Sequence, residues 1–238
     1  MRIDGRAYDA LRPVKLTPGF SKFAEGSCLI ECGNTMVLCC ASVEERVPNH
    51  VLSGGWVTAE YSMLPRANRS RSRRDVSKLK LAPRSAEIQR LVGRSLRAAV
   101  DLEALGPREI TIDCDVLQGD GGTRTASVTG GFVALALACG KLLEQGLIEK
   151  MPIRTLVSGV SAGIVGGVPM LDLCYEEDSR ADVDLNCVMT GDGRLVELQG
   201  TGEGRPFTVE EQRALVDLCA VGNAELQKYQ RAALGGLL

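Results

Sequence analysis

Residues 115–141, DVLQGDGGTRTASVTGGFVALALACGK, change character halfway. The stretch EITIDCDVL (109–117) that leads into them alternates, with Ile110, Ile112, Cys114 and Val116 on one side, and predicts a half-buried strand. Beyond Gly121 and Gly122 the chain turns small and apolar and reads as a helix ending near Gly146. Thr123 and Arg124 stand at the joint. A turn needs the glycines, but a fold gains nothing from a cation at the positive end of a helix dipole. Glycines let the backbone approach a ligand closely, and the N–H groups opening a helix form an anion site. Thr123 would add a hydroxyl donor and Arg124 a planar fork suited to phosphate oxygens. No Gly-Lys-Ser/Thr follows, so this is not a Walker loop. The plainer alternative is a glycine turn with Thr125 or Ser127 as N-cap and Arg124 in solvent.

Upstream, SCLIECGNTMVLCCASV (27–43) holds two apolar runs around Gly33-Asn34-Thr35, a hairpin signal, and GWVTAEYSMLP (55–65) predicts a further strand ending at Pro65. SAEIQRLVGRSLRAAVDL (85–102) predicts a helix capped by Ser85, with Ile88, Leu91, Val92, Leu96 and Ala99 on one face. Arg90, Arg94 and Arg97 line its opposite face. Downstream, LVSGVSAGIV, VPMLDLCY, ADVDLNCVMT and RLVELQGTG (within 156–202) predict a meander broken by glycine turns. Thr208 and Glu211 form a capping box for a last helix bearing Leu215, Val216, Cys219 and Leu226. Strands precede helices twice, without a residue-level repeat. Meanders grouped with helices argue for an α+β fold rather than a doubly wound parallel sheet. No linker is evident, so residues 1–238 are expected to form a single domain.

Composition narrows the chemistry. At 45% hydrophobic and 24% charged residues the chain has ample core material, but only 4% is aromatic, so the core must be aliphatic. The net charge of −2 points to no partner by itself. Nine cysteines without a CxxC pair, and no secretory segment at the start, predict buried free thiols in a reducing cytoplasm. A zinc site would have to use Cys28, Cys32, Cys39 and Cys40, whose spacing resembles no structural site. No apolar stretch is expected to reach the length of a membrane span. The single histidine, His50, lies in a polar turn region, which disfavours triad hydrolases and His-ligated metals.

Two further clusters stand out. LDLCYEEDSRADVDLN (171–186) carries Asp172, Glu176, Glu177, Asp178, Asp182 and Asp184 against Arg180 alone. A strand through ADVDL sets Asp182 and Asp184 on one face, with Asp178 at the end of the preceding loop. Histidine-free oxygen clusters suit Mg²⁺ or Mn²⁺; a solubilising acidic turn is the alternative. RANRSRSRRDVSKLKLAPR (66–84) holds eight Lys/Arg against one acid and reads as a basic loop of the kind that tracks a phosphodiester backbone. It lacks interleaved aromatics, so base stacking is not indicated; a plain solvated charge run is the alternative.

DCDVLQGDGGTRTASVTG, EIQRLVGRSLRAAVDL, GWVTAEYSMLPR, YEEDSRADVDLN and VELQGTGEG together resemble the ribonuclease PH family, bacterial phosphorolytic 3′→5′ exoribonucleases that trim tRNA precursors. The likeness runs from RIDGR into the last helix, nearly the whole chain. It implies a domain of two β-α-β-α-type halves, of the kind also seen in domain 2 of ribosomal protein S5. It also implies a cytoplasmic homohexameric ring, a trimer of dimers, active as a tRNA nucleotidyltransferase. Carried over by residue, it implies that orthophosphate is held by Arg84, Gly122, Thr123 and Arg124. Asp178 and Asp184 match the family's acidic pair, read as Mg²⁺-binding (or Mn²⁺-binding) or proton-handling groups. Arg66, Arg71 and Arg74 match tRNA-contacting arginines, with Arg69 and Arg73 as neighbours that can substitute. The chain departs from the family pattern at Pro83, Ser85-Ala86, Gly119 and Leu185, and in a shorter glycine loop before Trp56; none of these removes a charged group. Two other classes compete: an inactive exosome-like ring subunit that only binds RNA, and a hydrolytic metal-dependent nuclease. The first should lack the phosphate arginines or the acids, and all four are present.

Overall fold

The hairpin expected around Gly33 forms as β2 (Gly26–Cys32) and β3 (Thr35–Glu44), paired antiparallel, in a computed structural model that describes residues 2–74 and 82–238. β1 (Val14–Pro18) adds to its outer edge. β4 (Trp56–Met63) and β5 (Glu109–Gln118) complete a five-stranded sheet in the order β1-β2-β3-β5-β4. Only the β4–β5 pair is parallel, so it needs a crossover. That crossover is α1 (Pro83–Arg97) with the short α2 (Leu102–Leu105). A second, wholly antiparallel sheet runs β7-β6-β8-β9. It comprises β6 (Val157–Val165), β7 (Val168–Leu171), β8 (Val183–Thr190) and β9 (Leu195–Gly202). The single-turn α4 (Tyr175–Asp178) lies between β7 and β8, and α5 (Val209–Leu234) closes the chain.

Helix α3 (Thr123–Glu144) joins the two sheets, packing on β2 and β3 on one side and on β6 on the other. Its length of 22 residues and mean hydropathy of 1.6 would suit a membrane span, which corrects the expectation that no apolar stretch is long enough. Here 83% of its most apolar 18-residue window is buried in the protein interior. One hydrophobic cluster gathers the first sheet with α1 and α3, around Ile30, Ile112 and Phe132. A second lies between α5 and one face of the second sheet, around Val160, Leu185 and Cys219. The period-2 rule then turns the other face of β6 and β8, with Ser161, Asp184 and Asn186, away from α5.

Helix starts differ from the sequence expectation. α1 begins at Pro83 rather than after Ser85, with Ala82 as N-cap. Proline at N1 loses no helical hydrogen bond and presets φ, so Pro83 opens the helix and leaves Arg84 at N2. α3 is capped by neither Thr125 nor Ser127. Its N-cap is Gly122, in the left-handed region at φ +64°, with no capping side chain. The two hydroxyls instead donate back to Gly122 O (3.0 Å) and Thr123 O (2.9 Å). Arg124 is therefore also an N2 residue. Only Thr208 behaves as expected, accepting from Glu211 N at 3.1 Å while Glu211 accepts from Thr208 N at 2.8 Å.

Candidate active site at the seam of the two halves

The loop Gly119–Gly122 is shaped from behind. Thr35 Oγ1 donates to Gly121 O (2.7 Å) and accepts from Asp120 N (3.0 Å). Arg12 Nη1 donates to Asp120 O at 2.5 Å. Gly121, at φ +79°, passes so close to the Leu173 carbonyl that a Cβ would collide with it. Arg12 is in turn fixed by Asp172, whose carboxylate accepts from its backbone N, Nε and Nη2 at 2.8, 3.0 and 2.6 Å. Burial alone would raise the Asp172 pKa, but the guanidiniums of Arg12 and Arg6 hold it below the usual carboxylate range. Beside it Arg2 forms a buried bidentate pair with Glu177 (2.9 and 2.7 Å).

Held this way, the loop opens α3 into a cavity of about 370 Å³, within the range usual for ligand sites. All of the residues expected to hold phosphate line it: Arg84, Gly122, Thr123 and Arg124. So do Asp178 and Asp184. The first-turn N–H groups of α3 have no intrahelical partner. Thr123 Oγ1 lies 2.8 Å from the buried Tyr61 hydroxyl, which fixes its rotamer. Arg124 Nη1 donates to Gln199 Oε1 (2.9 Å) and lies 3.4 Å from Glu87 Oε1, to which Gln199 Nε2 also donates (3.0 Å). That triangle ties α1, α3 and β9 together at the rim.

The carboxylates of Asp178 and Asp184 line the same cavity. Burial raises the pKa of Asp178 against the pull of Arg84 and Arg124, with Glu203 adding to the rise. Burial and then the charge of Asp178 push Asp184 up to about 6, although Arg124 and an Asn186 hydrogen bond (2.9 Å) act the other way. A carboxylate made harder to ionise by its neighbour leaves, between the two, a place for a cation. Mg²⁺ is commonly bound through one or two carboxylates together with substrate phosphates, so the pair fits it. Among the described residues no group of three or more His, Cys, Asp or Glu forms a denser metal cluster.

Asp182, expected on one strand face with Asp184, is not among the residues that line the cavity. It precedes β8, and its carbonyl accepts from Glu203 N (2.9 Å) and Gly204 N (3.1 Å) and anchors the return of β9. The basic stretch is described only as far as Arg74 and again from residue 82; residues 75–81 lie outside the described residues. Arg66, Arg69, Arg71, Arg73 and Arg74 are all exposed and lie outside the cavity. Arg66 and Arg69 line a separate hollow on the far side of the glycine loop, and Arg69 sits 5.5 Å from the centre of the Tyr175 ring. Sequence reasoning missed Arg12, Asp172, Glu87, Asn186 and Gln199 as supports of the site. Alternation in LVELQGTG already set Gln199 and Thr201 on one face, a signal that could have found them.

The α+β fold is thus two sheets sharing a central helix, with arginines and carboxylates meeting at its amino end. Residues 10–139 match the 3′ exoribonuclease family, domain 1, and residues 155–218 match its domain 2; the chain belongs to this family. Among curated proteins it is 56% identical over 231 residues to Ribonuclease PH of Neisseria gonorrhoeae (strain NCCP11945), covering 96% of each chain. It is 55% identical over 231 residues, again 96% of each, to Ribonuclease PH of Neisseria meningitidis serogroup C / serotype 2a. Among solved structures, the Archaeoglobus fulgidus exosome with RNA bound to the active site superposes with a TM-score of 0.80 at 26% identity, covering 95% of this chain and 91% of that one. Rice (Oryza sativa) Rrp46, at 16% identity, shares the fold with a TM-score of 0.80 over 98% of this chain and 100% of its own.

Proposed function

We propose that the chain is a phosphate-dependent 3′→5′ exoribonuclease that trims the 3′ ends of tRNA precursors and releases nucleoside 5′-diphosphates. The observation that carries this reading is the meeting of Arg84, Arg124 and the Gly122–Thr123 backbone with Asp178 and Asp184 in one cavity. Its walls come from both halves of the chain, so residues 1–238 act as one catalytic domain.

Orthophosphate lodges between Arg84, Arg124 and the first turn of α3. One of its oxygens attacks the phosphorus of the 3′-terminal phosphodiester in line. The P–O3′ bond breaks, its electron pair stays on the 3′ oxygen of the shortened RNA, which takes up the proton given off by the attacking hydrogen phosphate to become the 3′ hydroxyl, and a P–O–P anhydride forms. Two anions must be brought together, so positioning and charge stabilisation by the arginines supply most of the rate. No protein nucleophile is required. An ester is exchanged for an anhydride, so the reaction runs backwards when diphosphates are abundant. A divalent ion held by Asp178 and Asp184, Mg²⁺ or Mn²⁺, would screen charge on the reacting phosphates. Asn186 orients the Asp184 carboxylate towards that task. The exposed arginines 66, 69, 71, 73 and 74 hold the RNA backbone outside the cavity. The working form is a cytoplasmic homohexamer; the likeness to a chain of the Archaeoglobus fulgidus exosome supports the ring assembly alone.

The test is to incubate the protein with RNA, Mg²⁺ and labelled phosphate and to identify the products. Labelled nucleoside diphosphates, formed only when phosphate is present, are expected. Monophosphates would indicate a hydrolytic nuclease, and no product would indicate an RNA-binding ring subunit; either result discards the reading.

A further inference from the structure

Among the described residues, three buried side-chain atoms have no hydrogen-bond partner: Ser95 Oγ, Gln230 Oε1 and Ser161 Oγ. Such groups cost stability and call for an explanation. Ser95 and Gln230 lie in α1 and α5 away from the cavity, whereas Ser161, only 4% exposed, lines it. Of the neighbouring hydroxyls, Thr123 is engaged with Tyr61, Thr125 with Gly122 O and Ser179 with Glu176 O, while Thr201 is exposed to solvent.

Strand register sharpens the contrast. Ser161 on β6 faces Asn186 on β8, which faces Gln199 on β9, and all three line the cavity as one cross-strand row. Asn186 donates to the Asp184 carboxylate, and Gln199 accepts from Arg124. Each thus serves a charged group of the site, and Ser161 is the member of the row with no protein partner. Its location says what it serves. A Cβ on Gly122 would lie 3.9 Å from Ser161 Oγ, so the hydroxyl sits beside the residue that opens α3 and its N–H groups.

We propose that Ser161 is a further phosphate-contacting residue. Its hydroxyl donates to a non-attacking oxygen of the inorganic phosphate and, in the reverse direction, to the terminal phosphate of the nucleoside diphosphate. A hydroxyl rotates freely to meet such an oxygen, and a bond to an anion is stronger than one between neutral groups. The inference deepens the phosphorolytic reading above and rests on it.

Steady-state kinetics on the full chain, varying phosphate at saturating RNA and then the reverse, test it with S161A and S161T. S161A should raise the KM for phosphate about ten- to hundred-fold, the range for a lost bond to a charged group, and leave the KM for RNA within about two-fold. S161T keeps the hydroxyl and should restore most of the loss. Without RNA, phosphate should raise the melting temperature of the wild type and of S161T more than that of S161A. The inference is overturned if S161A keeps the wild-type KM for phosphate, if both KM values rise together, or if S161T behaves as S161A does. A wild type that forms monophosphates would instead remove the phosphorolytic reading itself.

Discussion

Helices α3 and α5 begin in opposite ways. At α5 the Thr208–Glu211 box satisfies the first turn, Glu210 and Glu211 meet the dipole, and Arg205 pairs with Glu211 at 2.6 Å. The Arg205 bond and then the Thr208 N–H hold the Glu211 carboxyl down at about 2. At α3 the N-cap is a left-handed glycine, no acid stands in the first turn, and an arginine sits against the dipole. The end is not left loose, because Arg12 and Thr35 grip the carbonyls and N–H of the preceding loop from the far side. A helix start that only has to fold is closed by its own side chains. One proposed to receive an anion is braced from behind, with its first-turn N–H groups left without capping side chains.

The brace offers the largest effect by which to break this contrast. Asn tolerates the left-handed backbone that Asp172 adopts at φ +52°, so Asp172→Asn removes the charge without adding backbone strain. It leaves Arg12 buried and uncompensated, and should destabilise the chain by about 3–5 kcal/mol. The folded pKa of Asp172 lies below the ordinary 3.8, so its contribution is complete above that value and fades as the pH falls through the folded value. Melting temperatures measured against pH should therefore show a wide gap between wild type and variant near neutrality, narrowing in acid. A gap that is constant with pH would mean that the charge of Asp172 is not what braces the loop.

Next in size is the arginine inside the open end. Arg124→Ala removes the donor proposed to meet the attacking phosphate and should lower kcat/KM for phosphate about 10²- to 10³-fold, with little change in RNA affinity. The exposed loop should show the converse. Replacing Arg71 and Arg74 together should weaken RNA binding and reduce its log–log salt slope by about 1.4, the expectation for two phosphate contacts on a single strand. If both variants impaired the two substrates equally, the division between an anion-binding helix start and an RNA-binding loop would be lost.

Much of this arrangement was legible in the sequence, for definite reasons. Ile110, Ile112, Cys114 and Val116 alternate, and all are buried in β5. Gly121-Gly122 next to Arg124 is an electrostatic anomaly, and anomalies of that kind show without coordinates. The start of α1 was misplaced because Ser85 has capping chemistry, and propensity cannot tell when a proline takes precedence; at α3 the alternative of Thr125 or Ser127 as N-cap gives way to a left-handed glycine. The acidic run by itself set Asp182 beside Asp184; the pairing of Asp178 with Asp184 came from the family resemblance, and that Asp182 does not line the cavity left no trace in the sequence. Arg12 and Asp172 stand 160 residues apart, and Arg124 and Gln199 stand 75 apart; neither pair leaves a local trace.

The closed helix start supplies the smallest and most discriminating prediction. Thr208→Ala removes the side chain that accepts from Glu211 N, so α5 loses half of its box while the Glu211 bond to Thr208 N survives. Loss of a threonine cap at this chain length should lower the melting temperature by about 2–4 °C. Because α5 covers the face of the second sheet opposite Ser161 and Asp184, kcat and the KM for phosphate should stay at wild-type values. A variant that melted normally but lost phosphate affinity would show that the capped end also serves the cavity, and the contrast between the two helix starts would collapse.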